Sequence, residues 1–133
     1  MTESSDPIRI LHVDDDWRLA DLTATCLEDE SERFDVTIST SPTEAVSCLD
    51  SGNFDCIVSD YDMPGLNGVE FLETVRERYP DLPFILFTGK GSEEIASDAI
   101  SAGVSDYLQK KGGTDQYVIL SNRISNLVKK YRA

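Results

Sequence analysis

A doubly wound α/β domain with a parallel sheet is what this chain of 133 residues predicts. Three observations carry that expectation. Five short apolar runs alternate with five segments whose apolar residues recur at helical spacing. The connections between them are only a few residues long. Each apolar run stops at acids, hydroxyls, glycine or proline, which forbid further strand. Strict β-α alternation implies right-handed crossovers and helices on both faces of the sheet, a (βα)5 arrangement of five parallel strands. The length suits one domain with a single real core, residues 1–133.

Residues 1–7 are polar and are expected to be a flexible N-terminus. Ile8–Val13 is apolar at 8, 10, 11 and 13 and predicts the first strand, ending in Asp14, Asp15 and Asp16. A helix is expected from about Asp16 to Asp29, with Leu19, Leu22, Cys26 and Leu27 inward. Phe34–Ser39 alternates as a second strand. Ser41-Pro42-Thr43-Glu44 reads as a capping box with proline at the first helical position. The helix that follows buries Ala45, Val46 and Leu49 and stops at Gly52. Cys56-Ile57-Val58, bounded by Ser59 and Asp60, reads as a short strand buried on both faces. Val69–Tyr79 is expected to be helical with Leu72, Val75 and Tyr79 inward, ended by Pro80. Leu82–Phe87 predicts the fourth strand. Ser92–Ala102 predicts a short helix closed by Gly103. Asp106–Gln109 is the fifth strand. A last helix over 114–131 is expected to be capped by Thr114, with Tyr117, Leu120, Ile124, Leu127, Val128 and Tyr131 in one stripe.

Composition narrows the partners. Net charge is −13, from 25 acids against 12 bases, with a hydrophobic fraction of 40%. Such a field repels nucleic acid and anionic membranes, so neither is expected as a direct partner. Three cysteines (Cys26, Cys48, Cys56) in apolar patterns argue against a disulfide framework. The first residues carry no basic start or apolar leader, and no run reaches membrane-spanning length, so a cytoplasmic protein is expected. The Asp-rich, Lys-poor balance also suits a salt-rich, halophilic cytoplasm.

In a parallel sheet all strand C-termini share one edge, where open α/β sheets take their ligands. That gathers Asp14, Asp15, Asp60, Thr88 and Lys110, which the sequence scatters. Alone, Asp60 reads as a strand-end or Asx-turn residue and Asp16 as a helix cap. Three carboxylates together are another matter. At about 4 Å and an effective dielectric near 20, each like-charge pair costs about 4 kcal/mol unless a proton or cation relieves it. Oxygen-only donors favour Mg²⁺. The single histidine, His12, lies within the first strand and suits the core better than ligation. A lysine, a hydroxyl and a dication suit a phosphoryl group, whose transfer needs positioning and charge neutralisation. A carboxylate can accept it as an acyl phosphate.

The residues Val13-Asp14-Asp15, Asp60-Tyr61-Asp62-Met63-Pro64-Gly65, Asn67-Gly68, Thr88 and Tyr107-Leu108-Gln109-Lys110 resemble the response-regulator receiver domain of two-component signalling, over nearly the whole chain. The resemblance implies a flavodoxin-like fold with strand order 2-1-3-4-5. It implies that Asp60 takes a phosphoryl group from a histidine kinase. Mg²⁺ would be held by Asp15, Asp60 and the backbone carbonyl of Asp62, with Asp14 reaching the metal through water. Thr88 and Lys110 would bind phosphoryl oxygens, and Tyr107 would turn inward when Thr88 moves. A downstream protein or output domain would read the change, from a monomer or a phosphorylation-dependent dimer. The last helix ends in Lys129-Lys130-Tyr131-Arg132-Ala133 without a stop signal, leaving open a continuation into such a domain. One departure stands out. The family usually has proline after its lysine, often with a cis bond, and here Lys111 stands there; a trans loop eased by Gly112-Gly113 is expected.

Asp62 and Lys90 each lie two residues beyond a site residue, so an ion pair across the crevice mouth is expected to tune hydrolysis. Two rival readings compete. In a haloacid-dehalogenase-type phosphatase Asp60 and Asp62 would be nucleophile and general acid, but Met63-Pro64 breaks that pattern and no cap domain fits in this length. A flavin-binding module would need an FMN phosphate beside three acids. Thr88-Gly89-Lys90-Gly91 fails the Walker pattern, with Phe84 where its first glycine belongs.

Overall fold

Residues 6–89 and 91–133 are described by the structure, a computed structural model. The N-terminal expectation therefore falls largely, and that for Lys90 wholly, outside the described residues. Five strands, β1 (Ile8–Val13), β2 (Phe34–Ser39), β3 (Cys56–Ser59), β4 (Phe84–Thr88) and β5 (Asp106–Gln109), alternate with five helices. These are α1 (Trp17–Glu30), α2 (Pro42–Ser51), α3 (Gly68–Arg78), α4 (Glu93–Ser101) and α5 (Asp115–Arg132). All strand pairs are parallel, in the order β2-β1-β3-β4-β5. The expected sheet is thus the observed one.

Side chains alternate across β1 and build two cores. Leu11 and Val13 join Ile57, Leu86 and residues of α2, α3 and α4 on one face. Ile8 and Ile10 join Val58, Ile85, Phe87 and residues of α1 and α5 on the other. The central strand β3 is buried throughout, as a strand covered on both faces must be.

Several expected faces shift. In α1 the buried stripe is Ala20, Thr23, Ala24 and Leu27, while Leu19 and Leu22 are exposed. Small side chains let the helix approach β2 and α5 closely, and the leucines are displaced to its flank. In α5 Tyr131 is exposed, because the buried stripe ends at Val128. In α3 Phe71 is buried and Tyr79 sits half-buried at the C-cap, its hydroxyl donating to the Leu49 carbonyl at 3.2 Å. Strand β4 begins at Phe84 rather than Leu82, since Pro83 has no N–H for the ladder, and it runs on to include Thr88.

Capping also departs from expectation in places. Ser41 accepts the Glu44 N–H at 3.4 Å, and among the described residues only this half of the expected box forms. A complete box forms instead at α3, where Asn67 caps Glu70 and the Glu70 carboxylate accepts the Asn67 N–H at 2.9 Å. Thr114 occupies the cap position of α5 but its side chain makes no capping bond. Of the cysteines, Cys56 alone is buried and Cys26 and Cys48 are half-buried; all three are free.

Candidate functional site

The C-terminal edges of β1 and β3 meet in register, Val13 opposite Ser59. The next residues therefore leave the sheet side by side: the Asp60 N–H donates to the Val13 carbonyl at 2.9 Å, and the Asp14 N–H to the Ser39 carbonyl at 3.1 Å. The first holds Asp60 against β1 and the second holds Asp14 against β2. Asp14, Asp15 and Asp60 each offer a carboxylate oxygen within 4.8 Å of the others. Asp14 is buried, Asp60 half-buried and Asp15 exposed. Partial burial, and then the neighbouring Asp14 charge, hold the Asp15 carboxyl above its usual value. Hard oxygen donors crowded in this way fit Mg²⁺.

Each buried acid has defined partners. Asp14 accepts the Asp16 N–H at 2.9 Å through Oδ1 and lies 3.3 Å from the Lys110 ammonium through Oδ2. Asp60 accepts the Tyr61 N–H at 2.8 Å. Lys110 thus brings a positive charge to the acid cluster through Asp14. It reaches that cluster because its own N–H is bonded to the Thr88 carbonyl at 2.8 Å, continuing the β4–β5 ladder one residue past the strand. Its ammonium also lies over the Phe87 ring, 5.5 Å from the centroid. Thr88 ends β4 fully buried at the same edge.

His12 is buried one turn of the pleat below the acids, with Nδ1 2.8 Å from the Val58 carbonyl and Nε2 unpartnered. Burial lowers its pKa, and its fully buried place within β1 is that of the expected core residue. The Asp62 carboxylate is exposed and lies outside the three-acid group, though near enough for its charge to act on Asp15. Tyr107 packs on the α3–α4 side of the sheet, away from the carboxylates, its hydroxyl buried without a hydrogen-bond partner.

Two residues that pattern reading passed over shape the site. In the sequence Gly68 stands only in the Asn67-Gly68 pair of the family resemblance, with no structural reason attached. Its N–H donates to the Tyr61 carbonyl at 2.7 Å, and a Cβ there would overlap the Asp60 carbonyl oxygen and stand 2.8 Å from Tyr61 Cα. Glycine is what allows α3 to start directly against the strand that carries Asp60. Gln116 had no signal at all. Its carboxamide accepts the Lys111 N–H and donates to the Gly113 carbonyl, both at 2.9 Å. The loop after Lys110, with every peptide bond trans among the described residues, is tied by this side chain.

Comparison with known proteins agrees with this geometry. The family described as the response regulator receiver domain matches residues 10–120. Response regulator SaeR of Staphylococcus aureus is 34% identical over 122 residues, covering 92% of this chain and 52% of that protein. The receiver domain of Francisella response regulator 1452 superposes with a TM-score of 0.81 at 29% identity, covering 93% of this chain and 98% of that one. Response regulator TrrA of Thermotoga maritima, solved in complex with Mg²⁺-BeF, gives 0.78 at 28% identity, covering 90% and 98%. The chain spans from 25% to 52% of the length of the curated relatives it matches first. Neither rival reading, phosphatase or flavin module, is favoured by these matches.

Proposed function

The chain belongs to the response-regulator receiver family of two-component signalling, and from that premise we propose that Asp60 is its phosphoacceptor. One observation carries the assignment: Asp60 directly follows the central strand with its carboxylate inside a cluster of three. A carboxylate oxygen of Asp60 attacks phosphorus of a kinase phosphohistidine. The P–N bond breaks, its electron pair returns to the imidazole nitrogen, and an acyl phosphate remains on Asp60.

Asp15, Asp60 and the Asp62 carbonyl would hold Mg²⁺, with Asp14 behind them. The metal would supply charge neutralisation for the three carboxylates and the incoming phosphoryl oxygens. Thr88 and Lys110 bind those oxygens, which draws Lys110 from Asp14. Thr88 moving toward the phosphoryl group is the start of the switch, and Tyr107 with the α4, β5 and α5 surface is where it is read. Asp62 tunes hydrolysis from the crevice mouth, with Lys90 as its expected counterpart. The domain acts on itself and not on a turned-over substrate. Its partners are a histidine kinase and a downstream protein or output domain, met as a monomer or as a phosphorylation-dependent dimer. An acidic surface disfavours direct nucleic-acid contact. Among the described residues no helix is long and apolar enough to cross a membrane. The cytoplasm is the proposed place of work, and the charge balance suits a salt-rich one.

The test is intact mass after incubation with acetyl phosphate and Mg²⁺. Wild type gains one phosphoryl group, labile to hydroxylamine; Asp60→Asn gains none. Equal labelling of the variant overturns the assignment.

A further inference from the structure

Tyr107 and Gln109 alternate with Leu108 along β5, so their side chains share the face covered by α3 and α4. The Tyr107 ring packs against that core, yet its hydroxyl is buried without a partner. Packing therefore favours the inward ring while the unpaired hydroxyl opposes it, a balance that a small change can tip.

Gly91 lies over this pair. A Cβ at 91 would stand 2.8 Å from the Tyr107 hydroxyl oxygen, 2.8 Å from Gln109 Cδ and 2.9 Å from Gln109 Oε1. Real Cβ atoms do not approach so closely. All three atoms are ends of flexible side chains, unlike the backbone atoms that a Cβ at Gly68 would meet. The overlap is therefore relieved by a side chain turning away, without unfolding the strand.

We propose that Gly91 is the positioning residue of Tyr107: the missing side chain at 91 is what lets the phenol lie inward, and a Cβ there turns it out to solvent. This rests on the reading of Tyr107 as the switch and adds what permits the inward position, which the ring already holds here and was expected to take only when Thr88 moves.

The test reads Tyr107 directly, in protein with no phosphoryl donor, by ¹⁹F NMR of 3-fluorotyrosine. The chain has five tyrosines, and Tyr107→Phe identifies the signal. Gly91→Ala should move that signal toward the solvent-exposed position and enlarge its H₂O/D₂O shift. Gly89→Ala, whose Cβ meets nothing within 4 Å, should leave it in place. A Tyr107 signal unmoved in Gly91→Ala, or moved equally by Gly89→Ala, overturns the proposal. Should Gly91→Ala not fold, the clash requires that Gly91→Ala combined with Tyr107→Phe and Gln109→Ala folds, since both side chains meet the added Cβ; failure of that triple variant also overturns it. Absence of a label on Asp60 would remove the phosphoacceptor assignment but leave this result readable.

Discussion

The Lys110 ammonium lies 3.3 Å from Oδ2 of Asp14, and the Asp14 side chain is only 1% exposed. A carboxylate that deep needs its counter-charge, so the lysine is part of the resting fold as well as of the phosphoryl site. Removing one partner of a buried pair costs about 3–5 kcal/mol, mostly from the charge left behind. Lys110→Met should therefore lower stability by an amount near the bottom of that range, since the lysine is 16% exposed. Mg²⁺ should restore much of the loss by replacing the missing positive charge. Urea titrations with and without the metal measure both effects; a variant as stable as wild type without metal would refute the pairing argument.

Asp15 should behave in the opposite way. Its folded pKa is raised, first by burial and then by Asp14. A raised carboxyl pKa means that the folded protein binds the proton more tightly than the unfolded chain does. Charged Asp15 thus costs stability above that raised value, and the cost disappears as pH falls through it toward the ordinary range. Asp15→Asn should make the metal-free protein slightly more stable at pH 7 and flatten its stability profile on the acid side. The same change should weaken Mg²⁺ binding, measured by calorimetry. A metal-free melting temperature below wild type would contradict the repulsion among the acids.

Gly68 separates shape from charge. Its Cβ would meet the backbone of Asp60 and Tyr61, which cannot turn aside as a side chain can. Overpacking of this kind typically costs 1–3 kcal/mol, and Gly68→Ala should fall at about the upper end. Because the displaced atom is the carbonyl of Asp60, acetyl phosphate labelling should slow as well. Gly65→Ala is the comparison: Gly65 has φ +88° but nothing within 4 Å of a Cβ, so it should lose about 1–2 kcal/mol with labelling little changed. Equal labelling rates in both variants would show that Gly68 does not hold the acceptor.

The contrast between these residues explains what could be read from the chain alone. Strand-and-helix alternation, the acids after β1 and Asp60 after β3 are local patterns, and the parallel sheet brings them together by topology alone. The inward face of α1 was misread because hydrophobicity ranks Leu22 above Ala20, whereas close approach to α5 selects for small size. The need for glycine at 68 and 91 depends on which atoms lie opposite, at a sequence distance of seven residues or more. No periodicity encodes that. Gln116 is a similar case, an ordinary helical residue whose role exists only once the preceding loop has folded back on it.

That loop supports the last prediction. Lys111 presents a backbone N–H just after Lys110, and the Gln116 carboxamide accepts it while donating to the Gly113 carbonyl, both at 2.9 Å. The two bonds close a ring of chain between the phosphoryl-site lysine and α5. Each is partly solvated, so each contributes about 0.5–1 kcal/mol, and Gln116→Ala should destabilise the protein by about 1–2 kcal/mol. Gln116→Glu keeps the acceptor for Lys111 but has no proton for Gly113, so it should lose roughly half as much. A looser loop also lets Lys110 wander, which should weaken beryllofluoride binding several-fold. In a Lys110→Ala background the Gln116→Ala change should then have no further effect on that affinity, because the group it positions is gone. Additive losses in the double variant would mean that Gln116 stabilises the helix start and does nothing for the lysine.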